Sequence, residues 1–268
     1  MKEDYNRRKV DYHHIHATSK LHFDIFFEIL NISEKQNVID VGGGYGEILL
    51  ELKKRHPNLN YYYDLLEPSN LQLNKGKEKI LNELGSDILE KYIQFTEADL
   101  MSYTTEKKYD HVIFKMVLHE FSLENKKSAL KKAKLLLNDN GLLTIWRPYL
   151  PSHIRDFFSA VILKKDELAG FNVMQKTRYF DSEEQFNELL IEADIKPVEP
   201  VFIFEYLFDT HRRFESELHG NTTLYKEWLD FIQEIYYNET NALKNQVKLI
   251  KGDKGIYINF QRAIYQYK

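Results

Sequence analysis

The densest chemical signal in the sequence is the run Asp40-Val41-Gly42-Gly43-Gly44-Tyr45-Gly46. It follows the short β-branched stretch Val38-Ile39 and precedes Ile48-Leu49-Leu50-Glu51-Leu52, which has helical character. A chain that leaves a strand and turns at once into a helix needs left-handed or crowded backbone angles, which glycine adopts at little cost. Missing side chains also let a ligand lie against the backbone, at the carboxyl end of a strand, where open α/β sheets bind ligands. A dinucleotide turn would read G-x-G-x-x-G. Counting from Gly42 puts Glu47 at the third glycine, and counting from Gly44 puts Leu49 there. A phosphate-cradling G-x-x-x-x-G-K-[ST] is absent. The remaining pattern, G-x-G-x-G with an acid two residues before it, suits a ligand that lacks a pyrophosphate.

Three further features stand at strand ends in the same order along the chain. Glu67 lies about 20 residues after the last glycine, in Leu65-Leu66-Glu67-Pro68-Ser69, where a carboxylate can accept hydrogen bonds from ribose hydroxyls. Glu97-Ala98-Asp99-Leu100 follows the third strand and brings Asp99 within reach of a base amino group. Tyr109 to Phe121 is a fourth strand running into a loop with titratable residues, His119 and Glu120 among them. Each alone has a plain alternative, a tight turn or a solvated acid. Four in the right order point to one ligand site.

The elements that must position these residues alternate. A helix over 20–30 places Leu21, Ile25 and Ile29 at helical spacing; strands follow at 38–41, 60–66, 92–95, 111–114 and 142–146. Between them, Ser69 is a helix N-cap with Gly85 as the stop, and Ser122 opens a helix with Ala129, Ala133 and Leu136 on one side. Asn140-Gly141 reads as that helix's left-handed stop. Five strand–helix alternations predict a mostly parallel sheet covered on both faces. Beyond Pro148 the pattern loosens. A capping box at Ser182-Glu183-Glu184-Gln185 opens a helix through Ala193, 198–208 is strand-like, and 210–245 is helical with Leu224, Trp228, Ile232 and Tyr236 at four-residue steps. Ile256 to Phe260 is a last strand, led in by the turn from Lys251.

With 268 residues the chain can bury a sizeable core as one large domain with an N-terminal appendage, here read as a helical lid over 1–36 before a domain over 37–268. Cysteine is absent, which excludes disulfides, zinc–thiolate sites and thiol nucleophiles. The charged N-terminus and the lack of a long apolar run predict a cytoplasmic protein with no membrane span. A net charge of -4 argues against a nucleic-acid partner, since phosphate binding draws on a basic excess.

On these residues the chain resembles the class I S-adenosylmethionine-dependent methyltransferases, whose sheet has seven strands, the last antiparallel. The resemblance is good over 37–147 and looser through the helix at 183–193 and the last strand near 256–262. It implies an α/β, Rossmann-like, seven-stranded mostly parallel sheet with helices on both faces, plus the N-terminal lid and a helical insertion before the last strand. It further implies S-adenosyl-L-methionine as cofactor. Gly42 and Gly44, within the turn that also holds Gly43, Tyr45 and Gly46, would approach its methionine part, with Asp40 orienting the amino group. Glu67, followed by Pro68, would hold the ribose hydroxyls. Asp99 with Leu100 and Met101 would bracket the adenine, and Lys115-Met116 would line the methionine side mainly through backbone. The strand-four segment lacks the Asn/Asp-Pro-Pro-Tyr/Phe sequence of methyltransferases that act on adenine or glutamine nitrogens, which disfavours those acceptors.

Methyl transfer from a sulfonium needs an aligned lone pair, and a general base where the acceptor enters protonated. His119 is the first candidate for that base, its unperturbed pKa lying near neutrality; packing against the next helix is its other reading. Glu120 is a weaker candidate, read as solvated. Arg147, after the fifth strand, would point to the same rim and bind a carboxylate or phosphate, or else pair with a neighbouring helix. The cluster Tyr12-His13-His14-Ile15-His16 would fold over the cofactor and is not read as a metal site. Segments 148–180, with Asp156, Arg178 and Tyr179, and 210–245 would shape the acceptor pocket, while the Leu224–Tyr236 stripe is core or a homodimer interface. The expected activity is transfer to an oxygen or nitrogen of a small molecule or modified peptide in biosynthesis. The alternatives are an RNA or protein methyltransferase, or a non-catalytic cofactor-binding protein.

Overall fold

The computed structural model describes residues 2–7, 20–58 and 60–268. Its layout starts from β1 (Asn37–Val41), whose Val38, Ile39 and Val41 are all buried, as a parallel strand covered on both faces must be. β1 pairs in parallel with β2 (Tyr62–Leu66) on one side and with β4 (Tyr109–Lys115) on the other. β3 (Ile93–Thr96) extends the sheet beyond β2, and β5 (Leu137–Tyr149) extends it beyond β4. β8 (Ile256–Tyr267) then runs antiparallel to β5 and to the edge strand β6 (Phe202–Asp209). The resulting order is β3-β2-β1-β4-β5-β8-β6. The expected Rossmann-like sheet is therefore present, with one strand more than seven among the described residues. Short β7 (Lys248–Lys251) pairs with β8 where the sequence offered only a turn.

Period-two burial divides the strands between two helical layers. On one face, α2 (Lys20–Leu30), α3 (Glu47–Arg55) and α4 (Asn70–Leu84) pack on Val38, Leu65, Ile113 and Trp146. On the other, α6 (Leu123–Leu136) and α9 (Glu183–Glu192) pack on Ile39, Phe114 and Ile145. Short α5 (Ser86–Tyr92) joins α4 to β3. A third apolar cluster caps the end of the sheet that carries the carboxyl ends of β1, β2 and β4. It gathers α7 (Ser152–Leu168), α10 (Thr210–Ser216), α11 (Thr222–Tyr237) and α12 (Asn241–Gln246). Trp228 fixes α11 on α7, its indole N–H donating to the Val161 carbonyl at 2.9 Å. The Leu224–Tyr236 stripe is thus internal core.

Helix starts follow their caps. The hydroxyls of Ser69, Ser122 and Ser182 accept from backbone N–H groups of Gln72, Asn125 and Gln185, and Ser182–Gln185 forms the full reciprocal box. Three expectations fail for identifiable reasons. α2 buries Phe23, Phe26, Phe27 and Leu30 and leaves Leu21 exposed, because the aromatic face offers more apolar area. Gly141 is not a left-handed stop: α6 ends at Leu136 and the chain enters β5 directly. A Cβ on Gly141 would instead meet the Tyr109 carbonyl at 2.7 Å, so the glycine lets β4 and β5 approach. Finally, 210–245 is three helices, broken at Gly220 and again before Asn241.

Of the predicted N-terminal lid, residues 8–19, including the Tyr12–His16 cluster, lie outside the described residues. The described part, α1 (Lys2–Arg7), links the start of α4 to the segment that follows α7. Asp4 accepts from the backbone N–H groups of Val173 and Met174 at 2.9 Å each, at the start of α8 (Asn172–Thr177). Arg7 donates to the Gly170 carbonyl, and Asn6 accepts from the Ser69 hydroxyl. Among the described residues no helix is long and apolar enough to cross a membrane.

Gly76, inside α4, tests how closely this helix rides on the glycine turn. A Cβ there would meet the Tyr45 backbone at 3.0 Å and the Gly44 carbonyl at 3.1 Å, neither of which can yield. Glycine to alanine inside a helix ordinarily stabilises by about 1 kcal/mol. Gly76→Ala is expected to lower the thermal midpoint instead, read by scanning calorimetry; a raised midpoint would show that α4 does not depend on that contact.

Candidate active site

The turn after β1 takes the shape its glycines permit. Gly42, Gly44 and Gly46 have φ of 69°, 53° and 73°, in the left-handed region that side chains disfavour. The N–H groups of Gly42 and Gly43 donate to the Leu66 carbonyl at 2.8 and 3.1 Å, tying the turn to the end of β2. A Cβ on Gly42 would meet the Val117 side chain at 2.5 Å, closing the approach to the backbone. Gly46 sits behind, its missing Cβ leaving room for Ile80 of α4, and does not line the cavity in front of the turn.

Glu67 clamps the turn from the next strand. Its side chain is 5 % exposed, one oxygen accepting from the Gly44 N–H at 3.0 Å and the other from the Ser69 N–H at 2.8 Å. Burial pushes its pKa up to about 7, and the two backbone donors pull the other way. Asp40 lies beneath the turn and accepts from the Tyr63 hydroxyl at 2.8 Å; burial raises its pKa to about 6. Gln72, which sequence reasoning passed over, is buried in the cavity wall with its amide nitrogen lacking a partner. Asp99 is exposed at the mouth and caps Ser102 at 2.9 Å, with Pro68, buried Leu100 and half-open Met101 beside it.

At the end of β4 the backbone bends through Met116, a non-glycine residue at φ 56°, whose N–H donates to the Trp146 carbonyl at 2.8 Å. That bend carries Val117, His119 and Glu120 over the sheet. Lys115 and Met116 line the cavity as expected, but the Lys115 ammonium is also committed, at 2.5 Å, to Glu47. His119 lines the cavity too. Its ring stacks on Phe180 at 5.2 Å, its Nε2 stands 3.3 Å from a Glu120 oxygen, and its Nδ1 has no hydrogen-bond partner. Burial lowers its pKa below 6.5, leaving it neutral at pH 7.

Two expectations at this end change. Glu120 is not solvated: it is buried and receives both prongs of Arg178, at 2.7 and 2.6 Å, whose charge holds its carboxyl well below the usual range despite burial. Arg147 does not reach the rim: it stacks on Phe186 and pairs with Glu183 at 2.7 Å and the Asp181 carbonyl at 2.6 Å. The neighbouring-helix reading holds for it, because the first turn of α9 offers the Glu183 carboxylate and the residue just before its cap, Asp181, offers a carbonyl. Arg178 continues to Asp166, which Lys165 also holds; Lys165 reaches Glu217, and Glu217 receives Arg213. This alternating chain joins the strand-four loop to α7 and α10. Lys126, buried, supports it from below, binding Asp181 and the Tyr179 carbonyl while the Tyr179 N–H holds the His119 carbonyl. Exposed Asp156 pairs with Arg155 and has no place in the cavity wall.

The glycine turn, Glu67, His119, Glu120 and Arg178 line one cavity of about 720 Å³. The glycine turn, Glu67 and Asp99 form one end; His119, Phe158, Phe180, Phe208, Phe260 and the buried charges form the other. The second end comes from residues far apart in sequence, which no local pattern could have gathered. Among the described residues no group of three or more histidines and acids is placed to hold a metal ion.

Comparison with known proteins agrees with this geometry. Residues 39–143 match the family model described as a methyltransferase domain. A Bacillus halodurans C-125 protein described as a candidate methyltransferase superposes with a TM-score of 0.72 at 14% identity, over 91% of this chain and 97% of that one. The YcgJ protein of Bacillus subtilis gives 0.70 at 9%, over 91% and 96%. A mycolic acid cyclopropane synthase solved with S-adenosylhomocysteine gives 0.57 at 11%, over 91% and 83%. No curated protein sequence matches the chain. Residues 39–143 thus match a methyltransferase domain, and the chain as a whole shares the fold of these solved structures.

Proposed function

We propose that the chain moves a methyl group from S-adenosylmethionine to an oxygen or nitrogen of a small acceptor, with His119 as general base. The observation that carries this reading is the single cavity with the glycine turn and Glu67 at one end and His119 within an aromatic wall at the other. Its size lies in the range of about 300–1,000 Å³ typical of small-molecule sites. A polynucleotide partner would call for a basic face, whereas the net charge is -4.

The residues present fit the cofactor. Gly42 leaves bare backbone where a Cβ would close the cradle, Glu67 offers a carboxylate for ribose hydroxyls, and the orphaned Gln72 amide faces the same space. Asp40 lies below for the amino group, and Leu100 with Met101 flanks the adenine end. When bound, S-adenosylmethionine supplies an electrophilic methyl carbon, which bonds to the acceptor lone pair as the carbon–sulfur bond breaks and its electrons stay on sulfur. The chain's part is alignment and proton removal. Phe158, Phe180 and Phe260 exclude water from the acceptor end. His119, neutral at pH 7, takes the acceptor's proton, and the Glu120 carboxylate 3.3 Å away stabilises the imidazolium that forms. Arg178 keeps Glu120 ionised and in place. We place the protein in the cytoplasm, in a biosynthetic role, with a small-molecule or peptide acceptor.

His119→Ala is expected to slow methyl transfer to a screened acceptor about 10²–10⁴-fold while leaving S-adenosylhomocysteine affinity unchanged. Because burial lowers the His119 pKa, the acid limb of the wild-type rate profile should fall below pH 6.5 and vanish in the variant. Full activity in the variant would remove His119 from the reaction.

Glu67 gives a second test. Its pKa of about 7 in the free protein means that it carries a proton part of the time at neutrality. Ribose hydroxyls donate to the carboxylate form, so binding should release protons and tighten as pH rises from 6 to 8. Glu67→Ala should weaken S-adenosylhomocysteine binding about 10–100-fold, as for a lost charged hydrogen bond, and flatten that pH dependence. Unchanged affinity would refute the ribose assignment.

A further inference from the structure

One nitrogen of His119 is left unsatisfied by the chain. Its Nε2 stands 3.3 Å from a Glu120 oxygen, and Arg178 keeps that carboxyl ionised. The neutral ring therefore carries its hydrogen on Nε2 and its lone pair on Nδ1. Nδ1 is buried and has no hydrogen-bond partner. Buried polar atoms without a partner are uncommon, and in a cavity wall such an atom marks a place that a ligand completes. The stack of the imidazole on Phe180, 5.2 Å apart and 17° from parallel, fixes the plane of the ring.

The wall beside it is aromatic. Phe158 of α7 meets Phe180 edge-on at 5.0 Å and Phe260 of β8 edge-on at 4.7 Å. Phe208 of β6 meets Phe260 in the same way at 6.2 Å, and all four rings line the cavity. Such an array of ring edges and faces suits one more flat ring. The cations in the wall are matched within the chain. Lys165, Arg178 and Arg213 alternate with Glu120, Asp166 and Glu217, and Arg262 lies on the Tyr206 ring at 3.4 Å. A charged acceptor would disturb these buried pairs at high cost, whereas a neutral one leaves them whole.

The base narrows the reacting atom. A carboxylate enters with its lone pairs ready and needs no base. A neutral amine attacks through a lone pair that it already has and sheds its proton afterwards. A hydroxyl must give up its proton as the new bond forms. Burial draws the His119 pKa below 6.5, so the Nδ1 lone pair is a weak base. It is better matched to an aromatic hydroxyl, which ionises at about 10, than to an aliphatic one, which like water ionises at about 15.7.

We infer that the acceptor is a neutral aromatic compound whose ring lies among Phe158, Phe180 and Phe260 and whose phenolic hydroxyl donates to His119 Nδ1. The inference rests on the methyltransferase reading above and adds the acceptor's class to it. In the reaction the phenolic oxygen bonds to the methyl carbon as the carbon–sulfur bond breaks, sulfur keeping that electron pair. The hydroxyl proton passes to Nδ1, and the imidazolium so formed faces Glu120 through its Nε2–H.

The test is a fluorine NMR titration of the intact chain with 4-fluorophenol, 4-fluorobenzyl alcohol, 4-fluorobenzylamine and 4-fluorobenzoate, with and without S-adenosylhomocysteine. The four share one ring and differ in the group offered to His119. The phenol is expected to bind about fivefold or more tightly than each of the others, as for one added hydrogen bond. His119→Ala, first checked for an unchanged thermal midpoint, should erase that preference while the ring still binds. If that variant fails to fold, the wild-type ranking decides. Equal binding of the four, a preference for the amine or the acid, a phenol preference that survives in His119→Ala, or no binding at all would overturn the inference. Failure of the wild type to bind S-adenosylhomocysteine would count against the methyltransferase reading alone, since the titrations without cofactor still decide where the hydroxyl goes.

Discussion

The site depends on one buried carboxylate. Glu67 is shut away from water at the end of β2, and both its oxygens are met by backbone N–H groups, of Gly44 and of Ser69. The first bond fixes the glycine turn of one strand against the end of the next; the second fixes the start of α4, which then packs within 3.0 Å of the turn at Gly76. Ionised, such a group is costly to bury, and its raised pKa is the measure of that cost. Hydroxyl donors from a bound ligand would relieve it. The strain is held where binding can use it, a common feature of functional sites.

The opposite end of the cavity is governed by a different economy of charge. Three carboxylates and three cations alternate between the strand-four loop, α7 and α10, with little access to water. Such networks contribute little to net stability compared with well-packed apolar groups, but breaking one member is expensive. Here their effect is positional. They hold the three parts of the cap in one arrangement around His119, and they keep Glu120 ionised beside it.

What the sequence disclosed follows from what is local. The glycine turn was legible because a strand-to-helix reversal imposes backbone angles that few residues adopt. β1, β2 and β4 were legible as short apolar runs, and α4, α6 and α9 from the serines that cap them. α7 was not found, although its Ile154, Phe157, Phe158, Val161 and Ile162 recur at helical spacing, because it starts after Pro151 with no side-chain cap. The partners of Arg147 and Glu120 could not be read from one sequence, since Glu183 and Arg178 lie 36 and 58 residues away. Phe208, Phe260 and Arg262 were hidden for the same reason: strand pairing, not spacing, brings them to the wall. Gly76 left no signal, and Gly141 reads as a helix stop when its role is to let β4 and β5 approach, because close approach of backbone is invisible until the neighbouring element is placed.

The central claim is that the glycine turn and Glu67 form a nucleoside site without provision for a pyrophosphate. Calorimetric titration of the purified chain with S-adenosylhomocysteine, with NAD as control, tests it most directly. Micromolar binding of the first and none of the second is the expected result. Binding of NAD, or of neither ligand, would contradict the account and leave the turn a structural connection.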